Sequence, residues 1–567
     1  MIDAWLPKSV ILLRRYSGRA FAADAVAGVT VGLVALPLAM AFAISSGVKP
    51  ESGLYCAIVA GFLISALGGS RFQVGGPTGA FVVVVANIVA TYGLDGLFMC
   101  TMMAGVLLIV LGATGMGSAV KFIPRPVVVG FTNGIGVLIA STQIKDFLGL
   151  RVETPSAFWP RMVSISQNLG TYSGPATALA ATSLVTLIVW RRMVPKVPGY
   201  IVALLAGTAS VAVLQLPVET IGTRFGGIPA GWPVLTVPTF RPDLIGVLFR
   251  PALTVAMLGA LESLMSAVVA DRMGGDRHNP NVELVAQGIA NVASPLFGGL
   301  PATGAIARTA TNIRSGAQTP VSGIVHSLTL LSVLLVAAPL ARFIPLSVLA
   351  AILLVVSYSV GDWGEIPELL KLTKTDISVW VVTFALTVFA DLTLAVETGM
   401  ILAMLLFIRK VSQTTTVSLV TPEYVEAGRV HILQDKKIPD YVSVFRIHGP
   451  LLFGVTDKIA RITEHVDDLA PIVIVRLRNM TAIDSTGLRA LEDLADSLHA
   501  AGRELILCGA PKQPAALMRQ SEFHQHVGAD NICPNITIAL ERSTAIRAAS
   551  PHAPPQAAPH PVSIPRQ

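Results

Sequence analysis

The chain has 567 residues, 53% of them hydrophobic and 13% charged, with a net charge of +7 and a mean hydropathy of +0.67. A soluble domain carries about 25% charged residues, so a soluble globular protein is excluded and an integral membrane protein remains. Cations this few build no stripe for nucleic acid, and their small excess fits loops beside an anionic leaflet.

Lys8, Arg14, Arg15 and Arg19 precede the first apolar run, which predicts a cytoplasmic N-terminus from the usual excess of Lys and Arg on that side. The run from Val26 to Ala43 continues through Pro37 to Ile44 without a cleavage site, so it reads as a span and not as a signal peptide. Long apolar runs recur at Ala176–Trp190, Leu328–Leu340 and Val379–Ala390. A crossing needs roughly 20 apolar residues, and by that measure 20–410 holds about fourteen segments, several short or broken by Gly and Pro. With alternating spans, Arg71, Lys121, Arg125, Arg191, Arg192, Lys196, Arg272, Arg277, Lys371, Lys374, Arg409 and Lys410 fall on the cytoplasmic side. The cations of Lys145–Arg161 break the rule, because that segment would face outward.

Two of the short segments read almost alike. They begin Gly75-Gly76-Pro77-Thr78-Gly79-Ala80 and Gly298-Gly299-Leu300-Pro301-Ala302-Thr303-Gly304-Ala305. A Gly-Gly turn, then Pro in the first helical turn, then Thr, can start a helix abruptly inside protein. Interrupted helices in both halves of a hydrophobic chain point to a transporter's binding site. Their free N–H groups, each end carrying about half a positive charge, suit an anion. Gly76, Thr78, Gly79 and Ala80, with Ala302, Thr303, Gly304 and Ala305, are therefore candidate substrate-binding residues. The threonines would add hydroxyls, and Gly79 and Gly304 would leave room for a ligand. The shared Thr-Gly-Ala weighs against a pair of ordinary kinks, although small-residue repeats also serve helix packing.

Glu262 lies inside the apolar segment Leu253–Ala270, with Ser263 beside it and Ser266 one turn on. A charge at the bilayer centre costs about 2.5–3.5 kcal/mol on insertion scales. A carboxyl that only joins helices is one reading. A carboxyl facing the site is the other: burial favours its neutral form, and beside an anion it helps only when protonated. That is a chemical basis for proton coupling, with Glu262 and Ser266 as the coupling residues. Arg308, one turn beyond Thr303, would either offset charge on the ligand and Glu262 or snorkel to the interface. His326, in Val321–Ala338, reads as a hydrogen-bonded packing histidine. Cys56, Cys100, Cys508 and Cys533 show no disulfide or metal spacing and read as small apolar filler. No nucleophile–base pair or metal set appears, so neither an enzyme nor a cofactor is expected.

After Lys410 the chain turns polar. Val411–Asp440 reads as a linker, and Tyr441–Ser543 as a soluble α/β domain. Val442, Val444, Phe445 and Ile447 suggest a strand, Ile472–Val475 a buried one and Leu505–Leu507 another. Between the last two, Leu488, Leu491, Leu494, Ala495 and Leu498 recur at helical spacing, and strand–helix–strand order implies a parallel pair. Asp484-Ser485-Thr486-Gly487 opens that helix. It reads as an N-cap, and Thr486 or Ser485 could also carry a phosphoryl group at the helix start. The tail, 544–567, is rich in Pro, Ala and His and is expected to be disordered.

Together these residues resemble the SulP (sulfate permease) family of anion transporters. The resemblance runs from Ala20 to Ser543 and rests on Gly53-Leu54-Tyr55 through Thr78, on Gly298–Arg314, and on a C-terminal domain resembling STAS. It implies an all-α polytopic membrane protein of two inverted seven-helix repeats, a core moving against a gate, plus a cytoplasmic α/β STAS domain. It implies an anion held between spans starting at Pro77 and Pro301, Arg308 beside it, and a homodimer. Ile306–Arg314 and Gly259–Ser263 resemble the bacterial branch that carries C4-dicarboxylates such as succinate and fumarate; sulfate and bicarbonate transport share the frame. In anti-sigma antagonists with this domain the phosphorylated hydroxyl precedes the motif's Gly, which here is Thr486. An anion channel and a membrane-tethered scaffold acting through STAS are the competing readings. A buried carboxylate argues against the first, and the Thr78/Thr303 repeat against the second.

Overall fold

A computed structural model describes residues 5–14, 16–117, 124–194, 198–239, 241–390, 392–419, 438–453 and 455–549. Arg15, Lys121 and Lys196, named above for orientation, lie outside them, as does most of the tail. The chain forms two compact units, Met1–Ala403 and Met404–Gln567.

The first unit is helical. Its principal helices are α1 (Gly18–Ser45), α2 (Pro50–Leu67), α3 (Gly79–Ala113), α4 (Arg125–Leu148), α5 (Gly174–Met193) and α6 (Gly199–Leu214). Then come α7 (Ile245–Gly274), α8 (Pro280–Leu296), α9 (Ile306–Arg314), α10 (Val321–Ala337), α11 (Leu346–Val360), α12 (Lys374–Phe389) and α13 (Leu392–Thr414), the last of which crosses the boundary between the units. Proline opens several of them: Pro50 and Pro280 sit in the first turn, where the missing N–H costs nothing. Side-chain caps also act: Ser17 opens α1 by accepting from the Ala20 N–H, and Asn279, just before Pro280, accepts those of Asn281 and Val282. Helix α3 bends at Gly93, whose φ of 73° only glycine adopts readily. Counting its halves separately, the thirteen helices supply fourteen segments. By length and composition alone, seven helices of the described residues are long and apolar enough to cross a membrane. Of the other six, α6, α8, α9 and α12 have at most 17 residues, as the broken apolar runs anticipated, while α5 and α13 have 20 and 23.

Helices α3 and α8 approach backbone to backbone through opposed glycines. A Cβ on Gly105 would lie 2.7 Å from the Gly288 carbonyl oxygen, and one on Gly112 would lie 2.7 Å from that of Asn281. In a bilayer, where apolar burial cannot drive helices together, such close contact is what small residues supply. The two interrupted segments form strands β1 (Gly75–Gly76) and β2 (Thr303–Gly304), paired antiparallel as Gly75 with Gly304 and Gly76 with Thr303.

The second unit is an α/β domain. Its sheet runs β3 (Thr416–Leu419), β4 (Val442–Leu451), β5 (Ile472–Ile483), β6 (Glu504–Cys508) and β7 (Ile532–Cys533), in that spatial order. β3 is antiparallel to β4, and all later neighbours are parallel. Helix α14 (Ser485–Ala500) joins β5 to β6 and buries Leu488, Leu491, Leu494, Ala495 and Leu498 against the sheet. The expected linker is partly regular: Val411–Thr414 continue α13 and Thr416–Leu419 form β3. Residues 420–437 of it lie outside the described residues.

All four cysteines are free and buried. Burial pushes the Cys508 thiol up to about 12 and raises that of Cys533. Since only the thiolate is nucleophilic, the native protein at pH 7.5 should resist a membrane-permeant maleimide over minutes. It should react at all four positions after denaturation. Rapid native labelling at Cys508, read by mass spectrometry, would contradict this packing.

Candidate functional site

Both interrupted segments meet on one wall, the face of α7 that carries Gly259 and Glu262. The Thr78 hydroxyl donates to Glu262 Oε2 at 2.7 Å, and the Thr303 hydroxyl to the Gly259 carbonyl at 2.9 Å. Gly259 and Glu262 are three residues apart and so share a helix face. The threonines stand 225 positions apart in sequence (303 − 78), yet their hydroxyls land within one turn of the same helix, about 5.4 Å of rise.

The two halves are not equivalent in detail. Thr78 is the N-cap of α3, which begins at Gly79, whereas the N-cap of α9 is Ala305. Neither helix starts at its proline. Pro77 precedes the first cap, and Pro301 lies five positions before Ile306. The delay in the second half has a visible cause. Ala302 is tied to Asn291, its N–H donating to Oδ1 at 2.9 Å and its carbonyl accepting from Nδ2 at 2.8 Å. Thr303 and Gly304 then pair with β1, so a helix can form only after them. The first N–H groups of each helix, at Gly79 and Ala80 and at Ile306 and Ala307, have no intrahelical acceptor.

The glycines do not leave open space. A Cβ on Gly79 would lie 2.9 Å from Ile139 Cδ1 of α4, and one on Gly304 would overlap the Gln73 carboxamide. Gly76, with φ 143°, passes directly under the Arg308 guanidinium. These positions are glycine because helix, side chain and strand crowd them, which is a different reason from the one the sequence suggested. The Ala305 N–H donates to the Val74 carbonyl at 3.0 Å. Ala80 and Ala302 are buried.

Arg308 does not snorkel. It is 3% exposed, donates from Nη1 to the Gly75 carbonyl at 3.2 Å and from Nη2 to the Pro77 carbonyl. It therefore ties α9 to the strand leading into α3. Among the described residues no ion pair within 4.0 Å joins it to Glu262, whose side chain keeps partial exposure. Ser266 bonds the Thr309 hydroxyl at 3.1 Å, and that oxygen also accepts from the Val74 N–H. His326 is fully buried on α10.

Sequence reasoning missed the buried polar groups that surround this crossing. Glu283, Gln287, Asn291 and Ser294 line one side of α8. Gln73 bridges Ser263 and Glu283, donating at 2.8 and 2.9 Å. Asn312 donates to the Phe72 carbonyl at 2.9 Å. Asp24, 0% exposed, accepts from the Tyr16 hydroxyl and from the N–H groups of Gln318 and Thr319. The four-residue spacing of Glu283, Gln287 and Asn291 was a signal available in the sequence.

In the α/β domain Asp484 caps α14, accepting from the Gly487 N–H at 2.8 Å, and also takes the Phe453 N–H at 3.0 Å. Ser485 and Thr486 are exposed in the first turn.

A family model described as the sulfate permease family matches residues 21–383, and one described as the STAS domain matches residues 434–539. A putative sulfate transporter, YvdB, of Bacillus subtilis is 43% identical over 525 residues, 91% of this chain and 97% of its own length. The bicarbonate transporter BicA of Picosynechococcus is 31% identical, over 89% and 92% of the two chains. The solved transmembrane domain of a cyanobacterial bicarbonate transporter BicA superposes with a TM-score of 0.59 at 33% identity, covering 69% of this chain and 98% of that one. The structure of SLC26A9 superposes at 0.85 over 97% and 94%, and at 18% identity it shows the fold alone.

Arg308→Met would leave two buried carbonyls unpaired, each costing about 1–3 kcal/mol. It should lower the melting temperature of the purified protein markedly. Arg314→Met, exposed at the far end of the same helix, should leave it unchanged. Equal melting of the two variants would show that the arginine clamp contributes nothing.

Proposed function

The chain belongs to the sulfate permease family, and on that premise we propose that it is a secondary active transporter of a small anion, coupled to protons through Glu262. The anion would sit at the crossing of β1 and β2, where the starts of α3 and α9 converge. Gly76, Thr78, Gly79 and Ala80 would line it on one side, and Ala302, Thr303, Gly304, Ala305 and Arg308 on the other. The observation that carries the reading is the Thr78–Glu262 hydrogen bond of 2.7 Å. It puts a membrane-embedded carboxyl that keeps some exposure at the mouth of a helix N-terminus.

The chemistry follows from charge. An ionised Glu262 repels an incoming anion in a medium where Coulomb terms are weakly screened, whereas a neutral one does not. Either oxygen of the pair can donate when the carboxyl is protonated, so the Thr78 contact survives the change. Ser266, bonded to Thr309, would steady α7 as the charge changes. Transport would proceed by an elevator-type movement of the core, which carries the crossing, against the gate.

The names of the relatives, sulfate and bicarbonate transporters, favour an inorganic oxyanion. The motif resemblance to C4-dicarboxylate carriers adds succinate and fumarate to the panel. The protein would reside in a bacterial cell membrane with both termini in the cytoplasm and work as a homodimer. The exposed hydroxyls of Ser485 and Thr486 would be the points at which phosphorylation, or a partner, acts on the STAS domain.

Uptake of labelled sulfate, bicarbonate and succinate into proteoliposomes, with and without an inward proton gradient, tests this directly. Uptake of the true substrate should accelerate as external pH falls. Glu262→Gln, permanently neutral, should still bind the anion but lose both pH dependence and accumulation against a gradient. Accumulation by that variant with an unchanged pH profile would leave Glu262 as a structural residue and end the symport reading.

A further inference from the structure

Helix α8 contributes no group to the site as the sequence describes it, yet its buried face holds both approaches to that site. Glu283, Gln287 and Asn291 recur every four residues, Ser294 follows, and all four are at most 1% exposed. Four-residue spacing stacks them along one side of the helix.

At one end, Glu283 Oε2 accepts the N–H groups of Gly69 and Ser70 at 2.9 and 3.1 Å. Its Oε1 accepts from Gln73 Nε2 at 2.9 Å and Gln287 Nε2 at 3.0 Å. Gln73 extends the contact in two directions. It donates to Ser263, the residue after Glu262, at 2.8 Å, and its carboxamide fills the space a Cβ on Gly304 would need. At the other end, the Asn291 carboxamide forms the two-bond pair with the N–H and the carbonyl of Ala302. Ser294 donates to the Leu300 carbonyl at 2.7 Å. The segment entering β1 and the segment entering β2 are therefore fixed to one rigid helix. A buried peptide group at that depth has no water to replace the partner.

We infer that Glu283 and Asn291 are positioning residues: from α8 they set the relative placement of the two helix starts and of Glu262. The inference rests on the transport reading above. Asn291 fixes the α9 side directly; Glu283 acts through Gln73 on β2 and on the turn of α7 that carries Glu262. A residue that merely stabilised the fold would change the amount of folded protein. A positioning residue changes affinity in protein that remains folded.

The test uses the full chain in proteoliposomes, with labelled sulfate and labelled bicarbonate as probes. Asn291→Leu removes both bonds to Ala302. Asn291→Asp keeps the acceptor and remains informative if the first variant fails to fold. Glu283→Gln turns an acceptor into a donor facing donors. Thr101→Val, buried and bonded only within its own helix, is the control. KM should rise in the order parent, Asn291→Asp, Asn291→Leu, reaching about tenfold for the loss of the pair. Vmax per folded protein should stay within about twofold, and Glu283→Gln should behave likewise. Amide hydrogen exchange over 300–305 should quicken in the Asn291 variants and not in the control. Exchange does not depend on transport, so it still decides if the parent moves neither probe, which would instead count against the transporter reading. Unchanged exchange with unchanged KM, or loss of Vmax and folded protein at constant KM, would overturn the inference.

Discussion

A polypeptide that stops being helical inside a membrane must still satisfy every backbone N–H and carbonyl, because no water is there to do so. Much of this unit's polar architecture answers that single requirement. Where the chain is extended at 75–77 and 300–305, the strands pair with each other. Arg308 takes two carbonyls, Asn291 takes the N–H and the carbonyl of Ala302, Ser294 and Asn312 take one carbonyl each, and the Thr309 hydroxyl takes the Val74 N–H. The first N–H groups of α3 and α9 have no acceptor within their own helices. On the reading proposed above, those N–H groups would receive the anion.

The same requirement explains why charged and amide side chains lie deep in a chain with few charges. Glu283 receives two N–H groups of the turn before β1, and Asp24 receives those of Gln318 and Thr319 ahead of α10. A carboxylate that accepts several donors can be buried where an unpaired one could not. Glu262 differs from both. Among the described residues it has one side-chain donor, Thr78, and it retains some exposure. Glu262, beside the start of α3, is thus supplied with fewer donors than Glu283 or Asp24.

Much of this was legible in the sequence, and the gaps have physical causes. The repeated Gly, Pro and Thr, with Glu262 and Arg308, stood out because they interrupt apolar runs, where polar residues are costly. The exact helix start in the second half was not legible. It depends on Asn291 capturing Ala302, a contact between positions eleven apart that no local propensity encodes. The role of the glycines was misread for a related reason. What fills the space beside Gly79 is Ile139 from α4, and beside Gly304 it is Gln73. Glu283, Gln287 and Asn291 were visible as a period-four polar stripe, but a stripe alone does not say which backbone it serves. In the α/β domain the reading was easier, since alternating apolar residues and a capping Asp484 act through neighbours in sequence.

On the proposed reading, one anion would occupy the crossing of β1 and β2 between the starts of α3 and α9. Crystals or particles of the full chain prepared with selenate, an oxyanion of sulfate's shape with a strong anomalous scatterer, test it most directly. The account predicts a selenium peak within hydrogen-bonding reach of the N–H groups of Gly79 or Ala80 and of Ile306 or Ala307, with the Glu262 carboxyl beside it. An ordered anion bound elsewhere in the helical unit, with that crossing occupied only by protein, would contradict it.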